Sequence, residues 1–189
     1  MKSVVLIGPR CTGKTTVGRE LAELLSVPFV DCDYLFVQKH GSVIGFINEK
    51  GWEKFREYES QIIYDVVSRF KDEAIVFAPG GGTVAHEYSL YRQRNVELLR
   101  NFGRVVYLLP DNNPKVNIEI LAERLQKDEK TASLRPRLTS EASILEEVRK
   151  TYAERDPFYR IAAHAIVYTE GDSSPKVTAM NIADIIDYD

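Results

Sequence analysis

Cysteine is nearly missing from this chain: two in 189 residues, Cys11 and Cys32. That is too few for a disulfide framework, so the fold must be held by its own core. Long hydrophobic runs are lacking too. No stretch approaches the ~18 apolar residues of a membrane span. The opening MKSVVLIG has too short an apolar part for a secretion signal and leads straight into glycine-rich sequence. Nor is there a basic excess: 25 Lys and Arg stand against 28 Asp and Glu, a net charge of −3. Roles on nucleic acid or on a membrane surface are therefore not expected, although a few arginines can still hold one small anion. A reducing cytoplasm is the expected location.

What remains is an ordinary globular composition, 44% hydrophobic and 28% charged. The length suits one domain over 1–189 with a sizeable core. Short β-branched runs alternate with longer helical patterns, which marks an α/β fold with a parallel sheet. Strands are expected at 3–7, 28–31, 74–78, 104–109 and 165–169, nearly continuously apolar, as in a sheet covered on both faces. Helices are expected at 15–25 and 52–70, the second with Phe55, Tyr58, Ile62, Val66 and Phe70 at helical spacing. Residues 111–118 (DNNPKVNI) and the polar stretch 126–143 read as loops or mobile elements.

Residues 8–15, GPRCTGKT, match G-x-x-x-x-G-K-[ST] in full, directly after the apolar VVLI and before a helical pattern. In that context Gly8 and Gly13 let backbone N–H groups turn inward on an anion, and the following helix adds its positive end. Lys14 is expected to reach the β- and γ-phosphates of a nucleoside triphosphate, and the Thr15 hydroxyl to ligate Mg²⁺.

Three further patterns need that loop to gain meaning. VDCDYLF (30–36) places Asp31 and Asp33 two apart, on one face if the chain is extended; alone, such a pair is more often a solvated turn. EKFREYE (53–59) sets Arg56 and Glu59 one helical turn apart, which by itself reads most simply as a surface ion pair worth at most ~1 kcal/mol. VFAPGGGT (76–83) holds three consecutive glycines, Gly80, Gly81 and Gly82, after an apolar run. Glycines in a row cost backbone entropy, so something must need a bare backbone there.

In order, the chain reads GPRCTGKT, VDCDYL, KFREYE, APGGGT, RVVYLL, LRPRL and AERDPFYRIAA. This set resembles the shikimate kinases, small members of the P-loop kinase folds, from about residue 4 to residue 186. The resemblance implies a three-layer fold with a five-stranded parallel sheet in order 2-3-1-4-5 and a mobile lid at about 124–143. It also implies transfer of the γ-phosphoryl group of ATP to the 3-hydroxyl of shikimate, toward chorismate and the aromatic amino acids, by a monomer using Mg²⁺. The nucleotide set would be Gly8, Arg10, Cys11, Thr12, Gly13, Lys14, Thr15 and Thr16. Arg124 would pack on adenine, and Arg135 would close over the phosphates from the lid. Asp33 would bind the acceptor hydroxyl and act as base, with Asp31 near the metal. Arg56 and Arg155 would grip the acceptor carboxylate, and Gly80–Gly82 would form the acceptor loop. An alanine at Gly81 is then expected to raise the acceptor KM far more than that of ATP.

Departures from the family pattern are Trp52, where a glutamate is usual, the sequence RPRL with its added Arg137, and a charged segment over 127–143. One reading makes these drift in a mobile loop. Another has Arg137 and Trp52 adjusting the pocket for an acid such as quinate. Two alternatives to shikimate phosphorylation stand: a kinase of quinate or gluconate, and a catalytically silent nucleotide-binding regulator. Silent relatives lose the loop lysine, the aspartates or the lid arginine, whereas Lys14, Asp33 and Arg135 are all present. Oxidation of Cys11 and Cys32, both beside functional loops, would be a means of blocking ATP binding. His40, His86 and His164 lack metal-ligand spacing and read as ordinary surface or core residues.

Overall fold

The apolar runs become strands because both of their faces are covered. The computed structural model describes residues 2–127, 138–139, 143–169 and 174–187. Its elements are β1 (Ser3–Ile7), α1 (Lys14–Leu25), β2 (Phe29–Asp31), α2 (Cys32–His40), α3 (Val43–Arg69), β3 (Val76–Ala78), α4 (Ser89–Phe102), β4 (Gly103–Leu109), α5 (Pro114–Lys127), α6 (Ile144–Ala162), β5 (Ala165–Tyr168) and α7 (Pro175–Asp187). The five strands form one parallel sheet in the order β2-β3-β1-β4-β5.

All five residues of β1 are buried. Successive side chains of a strand point to opposite faces. Accordingly Val4 and Leu6 pack with Val17 and Leu21 of α1 and Ile182 of α7, while Val5 and Ile7 pack with Ile62 and Ile63 of α3 and Tyr159 of α6. Each such fully buried aliphatic chain contributes about 1.5–3 kcal/mol. The strand order puts β1 and β3 side by side, so the loops that follow them, 8–13 and 79–88, open at the same carboxyl edge of the sheet. In open α/β sheets that edge is where ligands bind.

The expected strand positions hold with small boundary shifts. At β2 and β3 the ladder reaches beyond the strands through backbone bonds from Val4 to the Ile75 carbonyl and from Val76 to the Pro28 carbonyl, both at 2.9 Å. Two expectations need correction. Residues 111–118 are not all loop, since α5 begins at Pro114. Asn113 caps it, its side chain accepting from the Lys115 N–H at 3.0 Å, and proline suits the first helical position. The helix expected at 52–70 is preceded by another helical segment, 43–50, and the two meet at Gly51, whose φ of 82° only glycine adopts easily. The expected lid, 124–143, overlaps the end of α5 at Lys127 and lies in large part outside the described residues.

Candidate active site

The loop after β1 is shaped by its glycines. Gly8 has a φ of 144°, and a Cβ there would stand 2.7 Å from the Leu108 carbonyl oxygen. Gly13, at φ 90°, precedes α1 with no side-chain cap, which leaves the first N–H groups of the helix directed at the loop. Thr12 is fully buried and donates to the Pro9 carbonyl at 3.1 Å. The Lys14 ammonium lies across the loop and donates to the carbonyls of Gly8 (2.9 Å) and Pro9 (2.6 Å). Thr16 is exposed in the same first turn of α1. From α5, Arg124 donates to the Cys11 carbonyl at 3.3 Å, which joins that helix to the loop.

The Thr15 hydroxyl donates to Asp31 Oδ2 at 2.9 Å. Its other oxygen, Oδ1, caps α2 by accepting from the N–H of Asp33 (2.9 Å) and Tyr34 (3.3 Å). Extended geometry does not therefore relate the two aspartates. Because Asp31 starts a helix, Asp33 stands in its first turn and reaches the site from there. Asp33 Oδ1 comes within 3.1 Å of where a Cβ on Gly80 would be, so the carboxylate sits against the glycine-triplet loop.

Arg56 and Glu59 are no surface pair. Arg56 Nη1 donates to Glu59 Oε2 at 2.7 Å, and the two side chains are 5% and 6% exposed. The guanidinium lies over the Phe55 ring, 5.0 Å from its centre, and 5.4 Å from that of Trp52. Its buried Nε has no hydrogen-bond partner among the described residues. The glycine triplet explains how the pair fits: a Cβ on Gly80 would meet Glu59 Oε1 at 2.5 Å, and one on Gly82 would meet the Arg56 nitrogens at 2.5 and 2.7 Å. None of the three glycines has a positive φ, so the triplet supplies room and not an unusual backbone. At Gly81 a Cβ would find nothing closer than 3.5 Å, and the neighbours there are the backbone of Gly8, Pro9 and Arg10.

Opposite stands α6. Arg155 and Tyr159 lie one turn apart, on either side of Pro157, which has no N–H to give to the preceding turn. Tyr159 is 1% exposed, stacks on Tyr107 with ring centres 5.0 Å apart, and donates its hydroxyl to the Gly81 carbonyl. Burial pushes the pKa of its hydroxyl up, so the donor stays protonated. The same helix is tied to the sheet by Asp156, which accepts from the Tyr107 hydroxyl at 2.9 Å and from Arg160 Nε at 2.7 Å.

Arg10, Asp33, Arg56, Glu59, Gly81, Gly82 and Arg155 thus line one cleft, with Val43, Trp52, Phe55 and Leu138 as its apolar wall. Arg10, read from the motif as part of the nucleotide loop, also lines this second cleft. Arg135 and Arg137 lie outside the described residues. Sequence reasoning missed the link from Tyr159 to Gly81 and the support beneath the loop, where buried Asn95 donates to the Thr83 carbonyl (3.0 Å) and accepts from Ser60 (2.7 Å). His86, read from the sequence as an ordinary surface or core residue, is a core one, 3% exposed behind the loop. Only the asparagine carries a hint in the sequence, as a polar residue within the helical pattern of α4. Cys32 is buried beneath the glycine-triplet loop; burial, then the carboxylates of Glu59, Asp33 and Asp31, push its thiol well up, which disfavours the thiolate that oxidation requires.

A phosphate loop at the central strand, a threonine–aspartate pair at its mouth and a separate cleft beside it define a P-loop kinase of a small molecule. The chain belongs to the shikimate kinase family: residues 10–187 match the family model described as shikimate kinase. It is 36% identical over 187 residues to "Shikimate kinase 2" of Enterobacter sp. (strain 638), covering 95% of this chain and 96% of that one. Its fold matches that of a shikimate kinase from Acinetobacter baumannii in complex with shikimate, with a TM-score of 0.83, 31% identity, and coverage of 100% and 94%. It is also 37% identical over 161 residues to the pentafunctional AROM polypeptide of Candida glabrata. That match takes in 84% of this chain, which spans only 9% of the length of the polypeptide.

Proposed function

We propose that the chain transfers the γ-phosphoryl group of ATP to the 3-hydroxyl of shikimate, a step toward chorismate. The observation that carries this reading is Arg56: a buried guanidinium, held by Glu59 and with Nε unpartnered among the described residues, lining a cleft with Asp33 and Arg155. A planar fork of this kind suits a carboxylate, and Asp33 suits a hydroxyl in the same cleft.

The phosphate loop fits a triphosphate. A side chain at Gly8 would fill the cradle, and α1 presents its N-terminal N–H groups there. Lys14, now on the carbonyls of Gly8 and Pro9, is within reach of the phosphates the loop would hold. The Thr15 hydroxyl and Asp31 carboxylate form an oxygen donor pair suited to Mg²⁺. When bound, that ion neutralises charge on the phosphates. Asp33 orients the acceptor hydroxyl and takes its proton, while Arg56 and Arg155 hold the carboxylate so that the hydroxyl faces the phosphate loop. By resemblance, Arg135 adds positive charge over the transferring group and Arg124 packs on adenine.

Among the described residues no helix is long and apolar enough to cross a membrane. We place the protein in the cytoplasm as a single-domain monomer acting on a small molecule, with no nucleic-acid or membrane partner. A coupled ADP-release assay with shikimate, quinate and gluconate tests the assignment. Shikimate is expected to raise turnover well above background ATP hydrolysis. Failure to do so overturns the reading, and selective turnover of quinate or gluconate replaces it with that acceptor.

A further inference from the structure

The acceptor cleft does not end at Arg155. Beyond it opens a cavity of about 400 Å³, which shares Trp52, Arg56, Leu138 and Arg155 with the cleft and adds His86, Arg92 and Phe158. Its volume is within the range of small-molecule pockets. Carboxylate binding at Arg56 and Arg155 leaves this space and Arg92 without a role.

Arg92 of α4 is fixed in place. Its Nη1 donates to the His86 carbonyl, and its guanidinium lies over the Phe158 ring, 4.2 Å from the centre. This preorganises a half-buried cation whose planar fork offers further N–H groups. The field here is strongly positive. Burial, then Arg56, Arg92 and Arg155, lower the pKa of His86 to about 3, and neither ring nitrogen has a partner among the described residues. The carboxylates on the cavity wall, Glu87 and Glu154, are both exposed, where solvent screens them.

We propose that this cavity is a second anion subsite, continuous with the acceptor cleft, in which Arg92 receives the second anionic group of a ring acid whose first carboxylate is held by Arg56 and Arg155. The subsite gives the enzyme affinity for cyclic dicarboxylates as inhibitors or effectors at the acceptor site. Trp52 and Phe158 form the apolar walls against which the ring lies. The proposal rests on the acceptor reading of the cleft.

Calorimetric titration needs no turnover and tests it directly. The probes are benzoate, benzene-1,3-dicarboxylate and the one-carbon-longer (3-carboxyphenyl)acetate. At least one dicarboxylate is expected to bind about tenfold or more tightly than benzoate, as one charge-assisted contact allows. In Arg92→Gln that ratio falls to near one, whatever the variant does to turnover. In Glu154→Gln, which removes an exposed and screened charge beside the cavity, the ratio stays within about twofold of wild type. Dicarboxylates no tighter than benzoate, or a ratio unchanged in Arg92→Gln, overturn the subsite. Benzoate that binds but is not displaced by shikimate counts instead against the acceptor reading, so the two failures are told apart.

Discussion

The Arg56 guanidinium occupies the space that a side chain at position 82 would need. Its Cζ lies 2.8 Å, and its nearest nitrogen 2.5 Å, from where the Cβ of residue 82 would stand. Loop and arginine are therefore fitted to each other, and the central glycine is not the tight one.

Gly82→Ala must displace the guanidinium, so the acceptor KM is expected to rise about tenfold or more, at ~1.4 kcal/mol per decade, with the ATP KM nearly unchanged. Gly81→Ala, whose Cβ has ordinary contacts, is expected to stay within about threefold by the same scale. This reverses the emphasis that the motif alone places on Gly81. Initial-rate kinetics on the two variants decide it; an equal effect would refute the packing argument.

Glu59→Ala leaves Arg56 buried and unpaired. Breaking such a pair costs roughly 3–5 kcal/mol, to be read from urea unfolding. A loss below about 1 kcal/mol would mean that the pair behaves as an exposed one.

Asp33→Asn keeps the shape of the cleft and removes the proposed base. Turnover should fall by about 10²–10⁴, while ATP affinity measured by calorimetry stays close to wild type. Full activity in this variant would refute the proton-accepting role.

Tyr159→Phe retains the ring stacked on Tyr107 and removes the donor to the Gly81 carbonyl. An orphaned buried acceptor costs about 1–3 kcal/mol, and the freed loop should raise the acceptor KM. A crystal structure of the variant with an unmoved loop, together with unchanged kinetics, would limit Tyr159 to packing.

His86 makes the fold sensitive to acid. Its folded pKa, about 3, lies below the ordinary value of 6.5, so only the unfolded chain takes up this proton as pH falls. The native state keeps its full stability above about pH 6.5 and loses it progressively toward pH 3, by about 1.4 kcal/mol per unit. His86→Phe lacks this contribution. Urea unfolding at pH 7 and pH 5 should show wild type losing about 2 kcal/mol more than the variant over that interval.

Much of this was legible from residues near one another in sequence. The conformation of a phosphate loop depends on glycines and a helix start within a few positions, and continuously apolar runs report a sheet covered twice. The start of α5 was equally local, since Asn113–Pro114 is a cap followed by a proline, but the polar DNN before it masked the signal. The i, i+3 spacing of Arg56 and Glu59 was visible too. Their burial was not, because it depends on which elements close over them.

The sequence by itself determined the α/β class, the strand positions, the phosphate loop and, through ordered motifs, the family. Only the tertiary structure decided that Arg56 and Glu59 form a buried pair, that Gly80 and Gly82 make room for it, and that Tyr159 reaches across 78 positions to the Gly81 carbonyl. It also brought Arg92 of α4 onto Phe158 of α6. The physical reason is range. Turn geometry and hydrophobic periodicity act over a few residues and leave their pattern in the chain, whereas desolvation and side-chain contact between distant segments arise only when the sheet sets those segments side by side.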